Sequence, residues 1–252
     1  MRWASILALC AAPVAAQDIW VLGEVHDNPA HHAVQATRVA GIAPKALVFE
    51  MLTPSDAAKV TPELRDDATA LAATLNWEGS GWPSFSDYYP IFAAAPEAAI
   101  LGAGVPREEA RDVAKVGIAG VFGEGAQTFG LTAPLPREEQ AAREQLQADA
   151  HCGALPPEML PLMVDIQRLR DASLARSALG ALAQIGGPVA VITGNGHARS
   201  DWGIPALIGW SDPTVSVYAL GQGEDGTPPD GVFDEVAYAP APERSDPCEA
   251  FR

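Results

Sequence analysis

This chain has little histidine, little cysteine and half as many basic residues as acidic ones. Its 32 Asp and Glu stand against 16 Lys and Arg, a formal charge of −16, which argues against nucleic acid and against anionic membrane surfaces as partners. Past residue 16 no apolar run reaches the length of a membrane-spanning helix. There is no solenoid-type repeat and no low-complexity tract. What remains, 252 residues of which 48% are hydrophobic, is enough for one large globular domain with a sizeable core.

The first sixteen residues stand apart from that domain. Arg2 supplies a positive start, Ile6 to Val14 an apolar stretch, and Val14-Ala15-Ala16 a small-residue site, which together make a secretory signal peptide cleaved before Gln17. Removing it leaves a balance of 15 − 32 = −17. A lipid anchor on Cys10 is the less favoured reading, because Leu9 stands where a lipobox wants a small residue. The expected location is therefore secreted or periplasmic. Two of the three cysteines, Cys152 and Cys248, stay in the mature chain, and the readings are a disulfide holding the C-terminal tail or two buried thiols.

Apolar runs predict short buried strands at 19–22, 46–49, 98–101, 189–193 and 215–220, with an edge strand within 232–238. Asn28-Pro29 caps and opens a helix reaching about Ala40, and another helix runs from Arg107 to about Lys115. The fold class is α/β, a mostly parallel sheet flanked by helices. Residues 17–252 form a single domain with helical inserts at about 55–95 and 136–182, which make a smaller helical cap. In the second insert, Leu155, Met159, Leu162, Met163, Ile166 and Leu169 form the expected apolar stripe. Residues 223–230 and 239–247, rich in Gly, Pro and charge, read as loops.

Of the five histidines, three fall within Gly23-Glu24-Val25-His26-Asp27-Asn28-Pro29-Ala30-His31-His32, and a fourth closes Gly194-Asn195-Gly196-His197. Both Gly-x-x-His segments directly follow an apolar strand. Ligands of open parallel sheets bind beyond the carboxyl ends of the strands, and Glu24, His26, Glu50, Arg107 and His197 all lie there. Imidazole and carboxylate suit Zn, Mn or Fe, so His26, Glu50 and His197 are candidate metal ligands. The bland readings are a hydrogen-bonded core histidine for either imidazole taken alone, a cap for Glu50 and an ordinary ion pair for Arg107. At least one of His31 and His32 is expected to serve surface or packing, and Met159 with Met163 the core.

Segment 23–32 with Gln35, Val48-Phe49-Glu50-Met51, His151-Cys152-Gly153, Gln167-Arg168-Leu169-Arg170-Asp171 and Gly194-Asn195-Gly196-His197 together resemble the ChaN haem-binding family over about residues 19 to 220. The resemblance implies an exported protein linked to haem or iron uptake, with haem bound at a dimer interface through tyrosine and histidine. It also implies a homodimer and haem-transport components as partners. The wider superfamily includes erythromycin esterase-like enzymes and Tiki-type metalloproteases, whose active-site pattern is matched here by Glu24, His26, Glu50 and His197.

Three functions follow. In the first, non-covalent haem is held by His26 or by Tyr88 and Tyr89, with Arg107 or Arg170 at its propionates; no Cys-x-x-Cys-His exists for covalent attachment. The aromatics around Tyr88 and Tyr89 serve equally well to pack the cap onto the sheet. In the second, a divalent metal on His26, Glu50 and His197 supports hydrolysis with Glu24 as general base. In the third, the same groups form an inert hydrogen-bond network. Haem binding is the reading the longest motif favours.

Overall fold

The computed structural model describes residues 17–246 together with 248 and 249. The signal segment and Cys10 lie outside the described residues. Six strands form one sheet: β1 Ile19–Leu22, β2 Ala46–Phe49, β3 Ala99–Gly102, β4 Val189–Ile192, β5 Val217–Glu224 and β6 Glu235–Ala239. Their order is β3-β2-β4-β1-β5-β6, and every neighbouring pair is parallel.

The central strands read as unbroken apolar runs because helices cover both of their faces. On one face, Leu47, Phe49, Ala190 and Ile192 pack against α1 (Pro29–Ile42) and α5 (Phe85–Ala94). On the other, Val21, Val48, Val189 and Val191 pack against α6 (Arg107–Phe122), α8 (Leu160–Ile185) and α10 (Ile204–Ser211). Short helices α2 (Pro54–Ala57), α3 (Pro62–Arg65) and α4 (Ala68–Thr74) fill the first insert, α7 (Arg137–Ala150) opens the second, and α9 (Asn195–Ala198) follows β4. Among the described residues no helix is long and apolar enough to cross a membrane.

Two details differ from the sequence reading, the stripe on α8 and the helix α10. Of the expected stripe, Leu169 is buried and Leu162 and Ile166 pack against the core, and the buried face of α8 also takes in Val164, Arg168, Asp171, Ala175 and Ala178, whereas Met159 precedes the helix and is 39% exposed. Small alanines bring this helix close to the sheet, and its two buried charges have partners in the fold. The helix α10 was not expected, whereas the aromatic segment folds as α5, with Pro90 inside it, within the expected helical insert. The two mature cysteines are joined, Cys152 to Cys248, so the tail after β6 is fastened just past the end of α7.

Candidate binding site at the carboxyl edge of the sheet

β1 and β4 lie side by side in register, so the two Gly-x-x-His segments leave the sheet as neighbours. The main chain locks them together: the Asn195 N–H donates to the Glu24 carbonyl at 2.8 Å, while the Asn195 side-chain oxygen accepts from the Gln222 N–H at 2.9 Å. Each motif's glycine clears space for the other motif. A Cβ on Gly23 would lie 2.6 Å from Asn195 Oδ1 and 2.8 Å from the Leu220 carbonyl, and one on Gly194 would lie 2.9 Å from His26 Nε2. Gly194→Ala is therefore expected to push the His26 ring from its place and lower stability by about 1–3 kcal/mol. Urea unfolding checks the cost, and an unshifted His26 ring resonance would refute the displacement.

Two imidazoles, each backed by a carboxylate, face a third carboxylate. His26 Nδ1 is 2.7 Å from Glu24 Oε1, and His197 Nδ1 is 2.6 Å from Asp171 Oδ1. Both Nε2 atoms turn to Glu50 Oε1, at 3.8 Å from His26 and 3.5 Å from His197. The other oxygen of Glu50 accepts from the Thr193 hydroxyl at 2.7 Å and the Gly194 N–H at 2.8 Å. Carboxylates behind the far nitrogens fix ring orientation and tautomer, as behind metal-bound histidines. Among the described residues, however, no three His, Cys, Asp or Glu form a group that could hold a metal ion as they stand.

Charge stays in this buried cluster because its members compensate one another. Burial opposes the His26 charge, but Glu50, Glu24 and Asp27 raise its pKa to about 9. Burial likewise opposes ionisation of Glu50, yet His197, His26, the Gly194 N–H and the Thr193 hydroxyl bring it down to about 2. His197 is raised by Glu50 and Asp171 against the effect of burial, and Glu24 is lowered by His26 and His32 against the same effect.

Tyr88 is fully buried, and its hydroxyl donates to Glu24 Oε1 at 2.6 Å. Burial and the adjacent Glu24 push its pKa above the ordinary phenol value, so Tyr88 positions Glu24 as a neutral donor and does not reach the surface as a tyrosinate. Tyr89 leaves the cluster altogether and donates to the Arg65 carbonyl at 2.7 Å. His31 and His32 are both fully buried, so neither is a surface residue. His31 Nδ1 accepts from the Val25 N–H at 3.0 Å, which holds the first motif's loop, and burial lowers its pKa. His32 packs against Tyr88 with the rings tilted by 36° and their centroids 4.1 Å apart.

Two hollows flank the cluster. A cleft of about 450 Å³ on the β1, β4 and β5 side has His26 and His197 in its floor and Leu146, Val164, Trp202 and Arg199 in its walls. Arg199 lies over the Trp202 ring, 3.5 Å from its centroid. A second chamber of about 410 Å³ lies beyond Glu50 towards β2 and β3, and Arg107 and Arg170 line it. Sequence reasoning missed Asp171, Thr193 and Trp202. Asp171 stands in the segment Gln167-Arg168-Leu169-Arg170-Asp171, and that segment is the signal that could have assigned it to the site.

Fold and site together define an α/β protein with a doubly covered parallel sheet, whose carboxyl edge carries carboxylate-backed histidines beside an open cleft. A family model described as haem-binding uptake, Tiki superfamily, ChaN matches residues 10–208, and the chain belongs to that family. A solved structure of ChaN from Campylobacter jejuni, described as showing cofacial haem binding, is 20% identical, with 82% of each chain covered and a TM-score of 0.62, and shares the fold. The type III effector HopBA1 is 12% identical over 88% of each chain with a TM-score of 0.47, too low to carry an argument. No curated protein matches the chain.

Proposed function

We propose that this protein binds haem non-covalently in the 450 Å³ cleft and serves haem or iron uptake after export. The observation that carries the reading is the cleft itself, with a family match to haem-binding uptake proteins behind it. Val25, Leu146, Ala150, Val164 and Trp202 give the cleft an apolar part against which a planar macrocycle would lie, beside the polar groups of its floor. Of the two imidazoles in its floor, His26 has a 36% exposed side chain and His197 only 9%, so His26 is the one that presents to a ligand. Bound haem would supply the iron chemistry, while Glu24 fixes the His26 ring. Export is supported by the layout of residues 1–16 and by the Cys152–Cys248 bridge. A homodimer and hand-over to haem-transport components belong to the same proposal, on the strength of the resemblance.

The test is a haemin titration of the mature protein read by its Soret band, on wild type and on His26→Gln. A saturable shift weakened at least tenfold in the variant is expected. Binding no better than to an unrelated acidic protein sinks the reading. Because an imidazole must lose its proton to ligate iron and that of His26 leaves at about 9, haemin affinity should rise from neutral pH towards pH 9. In His26→Gln this rise should vanish; if it persists, another group is responsible.

The second reading is metal-dependent hydrolysis, favoured by the meeting of both Nε2 atoms at Glu50 Oε1. There, His26, Glu50 and His197 would hold the ion and Glu24 would serve as base. Metal analysis of protein purified without chelator decides it: stoichiometric Zn, Mn or Fe that is lost in His197→Ala is required.

A further inference from the structure

We infer that the second chamber is an anion site, in which Arg170 and Arg107 grip a carboxylate or phosphate group of a ligand. The inference does not depend on haem binding.

Acids outnumber bases two to one in this chain, with 32 against 16, so a guanidinium without a partner stands out. Every other arginine that is not exposed has one: Arg38 pairs with Glu235, Arg65 donates to the Ala95, Pro96 and Ala98 carbonyls, Arg143 pairs with Glu139, Arg168 with Asp165 and Arg199 with Asp201. Arg170 is partly buried and makes no hydrogen bond or ion pair among the described residues. It projects into the 410 Å³ chamber together with Arg107, which is likewise unpaired. Arg107 comes from the first turn of α6, at the exposed rim, and its guanidinium lies beside Gly81.

The acids of the chamber are already engaged. Glu50 gives one oxygen to Thr193 and Gly194 and turns the other to the two imidazoles. Asp56 is bound by Lys59 at 2.8 Å and by the Thr53 hydroxyl at 2.6 Å. The Ser80 hydroxyl donates to the Trp77 carbonyl. Asp56 is balanced by Lys59, and the two imidazoles offset most of the charge of Glu24, Glu50 and Asp171, so the two free guanidiniums leave the chamber less negative than the rest of a strongly acidic protein. Guanidinium is the side chain whose planar fork matches carboxylate and phosphate. α8 thus serves two compartments with adjacent residues: Arg170 faces the chamber, and Asp171 orients His197 beneath the first cleft.

The anionic group could belong to a free small anion or to the propionates of a haem that extends past His26. Isothermal titration of the haem-free protein with citrate, a tricarboxylate, tests the first source. Saturable binding is expected, at least tenfold weaker in Arg170→Gln, partly restored in Arg170→Lys and unchanged in Arg111→Gln, an exposed position on α6. Comparing haemin with its dimethyl ester tests the second. If citrate does not bind, wild type should prefer haemin over the ester at least tenfold, and Arg170→Gln should erase that preference. Circular dichroism checks that Arg170→Gln folds, and Arg107→Gln replaces it if it does not. Variants that match wild type in both arms overturn the inference. A wild type that takes citrate but not haemin overturns the haem reading alone.

Discussion

Replacing Cys152 and Cys248 together by alanine is expected to lower the stability of the fold by about 4 kcal/mol, because the bridge ties residues 96 apart and a long closed loop constrains the unfolded chain most. The tail keeps other holds: Arg244 pairs with Asp27 and Glu224, and the Asn28 side chain donates to the Pro240 carbonyl. Arg244 is partly exposed, and ion pairs of that kind contribute little. They belong to the folded state and are absent from the unfolded chain, so they leave the loop-closure effect of the disulfide unchanged. Guanidinium unfolding of the oxidised wild type, the reduced wild type and the double variant measures it. The last two should agree, with midpoints well below the first; three equal midpoints would show that the bridge does not constrain the unfolded state.

The sheet could be read from the sequence because its central strands are covered on both faces: Ile19–Leu22, Ala46–Phe49 and Val189–Ile192 had no room for polar residues. The helices were less legible where packing overrode pattern. Leu162, Ile166 and Leu169 of the expected stripe do meet the core, but Met159 is exposed, and the buried face also takes in alanines with Arg168 and Asp171, which reach Gly130 and His197 far off in sequence. α5 lies within the expected helical insert and accommodates Pro90, and Phe92 stacks on Phe49 with ring centroids 4.3 Å apart.

The site was half legible for a related reason. Histidine is rare here, and two copies of one motif after parallel strands had to end at one sheet edge, so Glu24, His26, Glu50 and His197 could be found by position alone. The direction of a side chain carries no such signal. Tyr88 and Tyr89 are adjacent in sequence, but the step of about 100° between neighbours on α5 sends the first inward to Glu24 and the second to Arg65. Arg107 and Arg170 could be placed at the sheet edge, but not in a chamber separate from the cleft. That division depends on where Glu50 stands between the two imidazoles.

Glu50 is accordingly the residue whose loss should cost most. Glu50→Ala leaves the buried Thr193 hydroxyl and Gly194 N–H without their acceptor and strips two imidazoles of the carboxylate they share, a loss of about 3–5 kcal/mol. Glu50→Gln separates shape from charge, because its carbonyl can still accept from Thr193 and Gly194. Burial opposes protonation of His26, and Glu50 is the strongest of the groups that outweigh it, so in Glu50→Gln the His26 pKa should fall from about 9 towards its ordinary 6.5. Since the folded value lies above the unfolded one, protonated His26 stabilises the wild type fully below pH 6.5, and this is lost as pH rises through about 9. Glu50 is depressed from 4.5 to about 2, so its own contribution is present above pH 4.5 and is lost as pH falls through about 2. Wild type should therefore exceed Glu50→Gln most between pH 4.5 and 6.5 and lose much of that margin above pH 9. Urea unfolding across this range, with an NMR titration of the His26 ring in both proteins, measures the two effects together. A His26 ring that titrates identically in both would mean that Glu50 is not its counter-charge, and the cluster would then have to be held by Glu24 and Asp171 alone.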